Sequence, residues 1–100
     1  MITEPAVPER DILIVDDDIV LCELLADELQ NNGYTLDLAA NAAEAKALLR
    51  AHRYSMVIVD WRLPDGDGAV IANLAEATGS HAFVISGYLK EMLPGSVDIR

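Results

Sequence analysis

Three short apolar runs in the sequence each end on a residue that carries a side-chain oxygen. They are Ile12-Leu13-Ile14-Val15 before Asp16-Asp17-Asp18, Met56-Val57-Ile58-Val59 before Asp60, and Ala82-Phe83-Val84-Ile85 before Ser86. Apolar runs without polar alternation are typical of strands covered on both faces, as in a parallel sheet between helical layers. The carboxyl ends of such strands share one edge, where open parallel sheets bind ligands. We therefore expect these carboxylates and the Ser86 hydroxyl to converge on one small site.

Helical patterns separate the runs. The first helix is predicted from leucines at helical spacing, namely Leu21, Leu24, Leu25 and Leu29. Asp18 is favoured as its N-cap over a role as a metal ligand, and Asn31-Asn32-Gly33 is a stop signal. The lone Cys22 lies among these leucines and is interpreted as a small core residue.

Two more helices are predicted further along the chain. Asn41 and Glu44 have capping-box spacing for a second helix that ends near His52, with a buried stripe of Ala45, Leu48 and Leu49. A turn-rich stretch, 63–68, precedes a third helix that ends at Thr78-Gly79 and is built on Val70, Ile71 and Leu74. Asp65 and Asp67 are interpreted as turn residues, because an EF-hand pattern is missing.

The strands and helices alternate strictly along the chain. Tyr34, Leu36 and Leu38 alternate with polar residues, which predicts a weaker strand that is exposed on one face or lies at an edge. Alternating units of this length imply right-handed crossovers with helices on both faces of the sheet. The predicted fold class is a doubly wound α/β layer.

Composition limits the possible functions. One hundred residues make one domain, with residues 1–10 as a flexible leader and residues 11–100 as the folded unit. A net charge of −10 disfavours binding to nucleic acid or to an anionic membrane surface. No apolar stretch approaches the ~18 residues that span a bilayer, so we expect a cytoplasmic protein.

The acidic residues at the strand ends suggest a metal site. Asp16 and Asp17 follow one strand directly, and at its end the chain turns, so both side chains can lean over the sheet edge. Carboxylates gathered there repel one another unless a cation neutralises them. A hard divalent cation such as Mg²⁺ suits carboxylates and a backbone carbonyl, and it accepts phosphate oxygens as further ligands.

These residues resemble the receiver domain of two-component response regulators. The resemblance covers residues 11 to about 99 and rests on the acidic cluster, on the stretch 59–68, which begins Val59-Asp60-Trp61, and on Val84-Ile85-Ser86-Gly87. It implies the flavodoxin-like (CheY-like) strand order 2-1-3-4-5. It also implies that Asp60 is the phosphoacceptor and that Ser86 hydrogen-bonds the phosphoryl group.

The resemblance extends to a metal and to partners. It implies that Asp16, Asp17 and Asp60 hold Mg²⁺ together with the backbone carbonyl of Arg62. The phosphodonor would be a sensor histidine kinase or a histidine phosphotransfer protein, and the downstream protein is unknown. Gly87 would leave the phosphoryl group accessible, and Arg62 and Tyr88 are hypothesised to set the lifetime of the phosphorylated state.

The sequence also departs from the family pattern. Receivers normally have a lysine at the end of a fifth strand and then a last helix, but here the run Val97-Asp98-Ile99 is followed only by Arg100. The prediction is a receiver with an incomplete fifth strand and no last helix, in which Lys90 stands too early to replace the lysine. Apolar surface exposed in this way would favour a homodimer or strand exchange.

Three functions remain at this point. The leading one is a phosphorylation-dependent signalling module that catalyses only its own phosphorylation and dephosphorylation, either alone or within a longer regulator or kinase. The alternative is a degenerate or truncated receiver that acts only as a protein-interaction or dimerisation module. A Mg²⁺-dependent phosphatase with an aspartate nucleophile is disfavoured, because Arg62 stands where a general acid is expected.

Overall fold

The computed structural model describes residues 10–85, in which strands and helices alternate. The elements are β1 (Arg10–Val15), α1 (Ile19–Asn31), β2 (Leu36–Ala39), α2 (Ala42–Ala51), β3 (Tyr54–Asp60), β4 (Arg62–Leu63), β5 (Gly66–Asp67), α3 (Gly68–Ala77) and β6 (His81–Ile85). The first strand begins at Arg10, one residue earlier than expected. The predictions on Ser86 and on the fifth strand and last helix concern positions outside the described residues.

The main sheet is parallel, with strand order β2-β1-β3-β6. Strands β4 and β5 form a separate two-stranded antiparallel hairpin, so β6 is the fourth strand of the main sheet. The order is therefore the predicted 2-1-3-4. Val15 pairs with both Ala39 and Val59, and Asp60 pairs with Ile85. The carboxyl ends of all four strands therefore lie along one edge, and the doubly wound α/β class is confirmed.

Helix boundaries follow the capping residues. The Asp18 side chain accepts a hydrogen bond from the Leu21 N–H (3.0 Å), and the Asn41 side chain accepts one from the Glu44 N–H (2.8 Å). Asp18 is therefore a cap, as predicted, and α2 ends at its C-cap His52. Gly79, which follows the C-cap of α3, has a φ of 93° that favours glycine, in agreement with the predicted stop.

Two hydrophobic clusters lie on opposite faces of the sheet. The larger packs Leu13, Val15, Val57 and Val59 of the sheet against α2 and α3. The smaller, made by Ile12 and Ile14 of β1, packs against Cys22, Leu25 and Leu29 of α1. Alternate residues of β1 and of β3 serve the two faces, which explains why these two apolar runs show no polar alternation. The third run differs from the expectation, because Phe83 of β6 is 51% exposed within the described residues.

Two details of the predicted pattern are wrong. In α3, Val70 and Leu74 are 48% and 41% exposed, and the buried face is formed by Gly68, Ile71, Ala72 and Ala75. Helix α3 uses small residues because they allow it to lie close to the sheet. The edge position of the weaker strand is confirmed, but Tyr34 lies outside it and donates its N–H to the Leu29 carbonyl (3.1 Å).

None of the helices within residues 10–85 is both long and apolar enough to cross a membrane.

Candidate functional site

Three carboxylates meet at the carboxyl edge of the sheet. One side-chain oxygen from each of Asp16, Asp17 and Asp60 lies within 4.8 Å of the others. Asp16 and Asp60 are only 3% and 6% exposed, whereas Asp17 is exposed. The cluster predicted from the strand ends is therefore present, with two members in the protein interior and one facing solvent.

The local backbone fixes Asp16 in place. Its N–H donates to the Ala39 carbonyl of the neighbouring strand (3.0 Å), and its Oδ1 accepts the Asp18 N–H (2.8 Å). The buried Cys22 thiol donates to the Asp16 carbonyl (3.4 Å), so Cys22 has the core position predicted for it. These contacts join the end of β1 to the first turn of α1 and orient the Asp16 carboxylate.

The end of β3 is held from two sides. The Trp61 N–H donates to the Ile85 carbonyl (2.7 Å), and the Trp61 carbonyl accepts the Gly68 N–H (2.9 Å). Gly68 lies so close to this turn that a Cβ there would overlap with the Asp60 carbonyl oxygen and lie 2.9 Å from the carbonyl carbon. A side chain at position 68 would therefore displace the backbone that carries the Asp60 carboxylate.

The hairpin β4–β5 follows Asp60 and carries Arg62, whose carbonyl is an expected metal ligand. Arg62 pairs with Asp67, and Leu63 pairs with Gly66. Leu63 is buried in the larger hydrophobic cluster, while the Arg62 side chain is exposed. The stretch predicted as a turn is thus a short hairpin anchored by one leucine.

Asp65 and Asp67 use their carboxylates to bind helix N-termini. Asp67 caps α3 by accepting the Ala69 N–H (2.8 Å). Asp65 lies at the hairpin tip and accepts the N–H groups of Ala42 (2.6 Å) and Ala43 (3.0 Å) at the start of α2. Sequence reasoning missed this second contact, because its partners are 22 and 23 residues away and no local spacing signals it.

The contact changes the ionisation of Asp65. The Ala42 N–H that donates to the carboxylate is the main cause that holds the pKa of Asp65 below its ordinary value, with further contributions from the Ala43 N–H and the charge of Lys46. Partial desolvation opposes this shift. The ionised form of Asp65 therefore fits the N-terminus of α2, where backbone N–H groups favour negative charge.

The carboxylate cluster has dimensions that suit a small divalent cation. Oxygens bound to Mg²⁺ at about 2.1 Å are separated by roughly 3.0 Å in adjacent positions and roughly 4.2 Å in opposite ones. The separations of up to 4.8 Å between Asp16, Asp17 and Asp60 therefore need only small side-chain adjustments. Hard carboxylate oxygens also match the chemistry of Mg²⁺. The residues present thus fit the metal implied by the sequence.

The structure describes only some of the remaining candidate residues near Asp60. Trp61, beside Asp60, is 49% exposed and is the only tryptophan in the sequence. Ser86, Gly87 and Tyr88 lie outside the described residues, so their positions relative to Asp60 stay predictions.

Comparison of the sequence with known families gives one match over most of the chain. The response regulator receiver domain matches residues 12–90. The transcriptional regulatory protein PmrA of Pectobacterium parmentieri is 47% identical over 60 residues, which make up 60% of this chain and 27% of that protein. The response regulator MprA of a Mycobacterium species (strain KMS) is 37% identical over 68 residues, or 68% of this chain and 30% of that protein. The chain therefore spans much less than half of either relative.

Solved structures show the same architecture. The response regulator TrrA of Thermotoga maritima, solved in complex with Mg²⁺-BeF, is 33% identical with a TM-score of 0.67, over 82% of this chain and 73% of that chain. A receiver domain (CheY-like) from Methylobacillus flagellatus has a TM-score of 0.71 at 22% identity, over 89% of this chain and 79% of that chain. The second likeness concerns the fold alone.

Proposed function

The chain belongs to the family of response regulator receiver domains, and from that premise we propose that it is a signalling module in which Asp60 accepts a phosphoryl group with the help of Mg²⁺. Receiver domains of this family interact with histidine kinases or phosphotransfer proteins. We propose a phosphohistidine on such a protein as the donor. The observation that carries the proposal is the convergence of Asp60 with Asp16 and Asp17 at the carboxyl edge of the sheet.

The three carboxylates would have different roles. Asp16, Asp17 and Asp60, with the Arg62 carbonyl, would hold the metal, which would neutralise charge on the phosphoryl oxygens. With the metal bound, the site would accept an anionic donor, which the three carboxylates alone would repel. The Mg²⁺-BeF complex of TrrA, a 33% identical relative, supports the choice of metal.

The transfer itself is a simple displacement. A carboxylate oxygen of Asp60 would attack the phosphorus in line, forming a phosphorus–oxygen bond. The phosphorus–nitrogen bond of the phosphohistidine would break, and the imidazole nitrogen would keep the electron pair and take up a proton. The product is an aspartyl phosphate, which we expect water to hydrolyse later. Ser86 would donate a hydrogen bond to the phosphoryl group, as the family pattern implies.

Burial fits this role for Asp60. At 6% exposure, its carboxylate is shielded from most of the solvent, while exposed Asp17 leaves one side of the cluster open to an incoming donor. A phosphoryl group on Asp60 would therefore form within a site that one macromolecular partner can enter and that bulk water enters less easily.

The experiment is phosphorylation of the full chain by a small acyl phosphate with and without Mg²⁺, followed by intact-protein mass spectrometry. We expect a Mg²⁺-dependent mass increase of one phosphoryl group in the wild type and none in Asp60→Asn. Beryllofluoride with Mg²⁺ should change Trp61 fluorescence in the wild type only, because Trp61 adjoins Asp60.

Two outcomes would contradict the proposal. If a folded wild-type chain neither gains a phosphoryl group nor binds beryllofluoride, the degenerate receiver that acts only as an interaction module is favoured. Sustained turnover of a phosphate ester would instead indicate a phosphatase.

A further inference from the structure

The contact between Asp65 and α2 joins the candidate metal site to a helix that carries none of the metal-binding residues. The carboxylate accepts two N–H groups at once, from Ala42 at 2.6 Å and from Ala43 at 3.0 Å. Packing supports these bonds, since a Cβ placed on Gly66 would be only 3.2 Å from the Ala42 Cβ. The tip of the β4–β5 hairpin is therefore closely applied to the start of α2.

We propose that Asp65 is a positioning residue for the metal site, because it holds the hairpin that carries Arg62, whose carbonyl is the proposed fourth ligand beside Asp16, Asp17 and Asp60. The inference rests on the proposed function, which takes the Arg62 carbonyl as a metal ligand. It assigns to Asp65 an effect on Mg²⁺ affinity beyond its contribution to the stability of α2.

The hairpin is restrained at its base, next to Arg62, and by Asp65 at its tip. It consists of two residue pairs, Arg62 with Asp67 and Leu63 with Gly66, and a hairpin this short is not stable alone. At its base the Gly68 N–H donates to the Trp61 carbonyl (2.9 Å), one residue before Arg62. Between these points only Leu63 is buried, and its apolar contacts hold position less strictly than directed hydrogen bonds do.

Orientation matters more for the Arg62 carbonyl than for the carboxylates. A side-chain carboxylate adjusts to a cation by rotating about its own bonds, whereas a backbone carbonyl moves only with the backbone. Mg²⁺ demands near-ideal octahedral geometry, so a shift of the hairpin would weaken its binding. The two hydrogen bonds of Asp65 restrain that backbone three residues beyond Arg62.

The simpler role for Asp65 is that of a helix cap and nothing more. The chain offers a matched control for it, because Asn41 caps the same end of α2 by accepting the Glu44 N–H (2.8 Å) and has no hydrogen bond to the hairpin among those described. Asn41→Ala therefore weakens the helix end without releasing the hairpin. Glu44→Gln, which removes an exposed carboxylate at the same helix end, controls for the loss of a negative charge.

The experiment is a Mg²⁺ titration of the full chain followed by Trp61 fluorescence. We expect Asp65→Ala to raise the Mg²⁺ dissociation constant by about tenfold, the lower range for loss of an outer-shell partner. Asn41→Ala and Glu44→Gln should leave the dissociation constant near the wild-type value. Phosphorylation by a small acyl phosphate should be slower in Asp65→Ala at low Mg²⁺ and should return to the wild-type rate at saturating Mg²⁺.

The outcomes separate this inference from the proposed function. If the wild type does not bind Mg²⁺, the proposed function fails. If the wild type binds Mg²⁺ and Asp65→Ala binds it equally well, or if Asn41→Ala weakens binding as much, the positioning role is wrong. Should Asp65→Ala fail to fold, Asp65→Asn, which keeps one acceptor oxygen, is expected to weaken Mg²⁺ binding by a smaller factor, and unchanged binding would overturn the inference.

Discussion

Gly68 shows how one residue without a side chain shapes the candidate site. It is the first residue of α3, where alanine would normally favour a helix more than glycine does. The Asp60 carbonyl occupies the space that a Cβ would need, so the close approach of β3 and α3 outweighs helix propensity at this position.

We expect Gly68→Ala to lower the free energy of unfolding by about 1–3 kcal/mol, because the backbone at Asp60 must move to accept the methyl group. Urea denaturation measures this loss, and Mg²⁺ binding should weaken in parallel. Gly66→Ala is the matched control, since its new methyl group would meet only the Ala42 Cβ, at 3.2 Å, and a smaller loss is expected. Equal stability of Gly68→Ala and the wild type would contradict the close approach.

A pH dependence follows from the lowered pKa of Asp65. Its unfolded-state value is near 3.8, and the folded-state value is lower because the Ala42 N–H donates to the carboxylate. The stability that Asp65 contributes is therefore present above the unfolded pKa and lost as the pH falls through the folded pKa. We expect the wild type to be more stable than Asp65→Asn at pH 7, with a gap that narrows at pH values below 3.8. Urea unfolding across this range tests the sign, and a gap that does not change with pH would count against the contact.

Two of the helix caps whose partners are close in sequence could be predicted. Asp18 and Asn41 cap their helices through N–H groups three residues ahead, and this spacing is visible in the sequence. Asp65 has the same chemistry with partners more than 20 residues away, so its role emerges only when the chain is folded. Ser86 and Tyr88 stay predictions.

At the scale of elements, the strands were easier to predict than the buried faces of the helices. A strand covered on both faces needs apolar residues throughout, so its sequence is unambiguous. Helix α3 carries apolar residues all round, and which of them are buried depends on its rotation against the sheet. Ile71 with three small residues faces the core, and Val70 and Leu74 face outward.

This rotation has a measurable consequence. We expect Ile71→Ala to cost about 2–5 kcal/mol of unfolding free energy, as for other large-to-small changes of fully buried aliphatic residues. Leu74→Ala should cost much less, because that side chain is 41% exposed. Urea unfolding of both variants measures the difference, and similar losses would mean that α3 is rotated from the described position.

At the scale of the whole molecule, the strand order of the sheet brings the two buried carboxylates of the candidate site together. Strand β1 lies between β2 and β3, so the ends of β1 and β3, which carry Asp16 and Asp60, are neighbours although 44 positions separate them in sequence. Alternation and crossover rules predicted that both strand ends lie at one edge of the sheet, and the resemblance to receiver domains implied the strand order that makes them neighbours. These rules could not predict the position of the hairpin against α2, because that position depends on packing between elements that are far apart in sequence and that no local pattern connects.

The unequal size of the two hydrophobic clusters has a kinetic consequence. Among residues 10–85, thirteen buried residues form the cluster on the side of α2 and α3, and three form the cluster on the side of α1. Local opening costs less where fewer apolar contacts must be broken. Amide protons of α1 should therefore exchange with deuterium sooner than those of α3, and the reverse order would contradict this. Since Asp16 and Asp17 lead into α1, two of the three carboxylates of the candidate site are attached to the part of the molecule that we expect to open more easily.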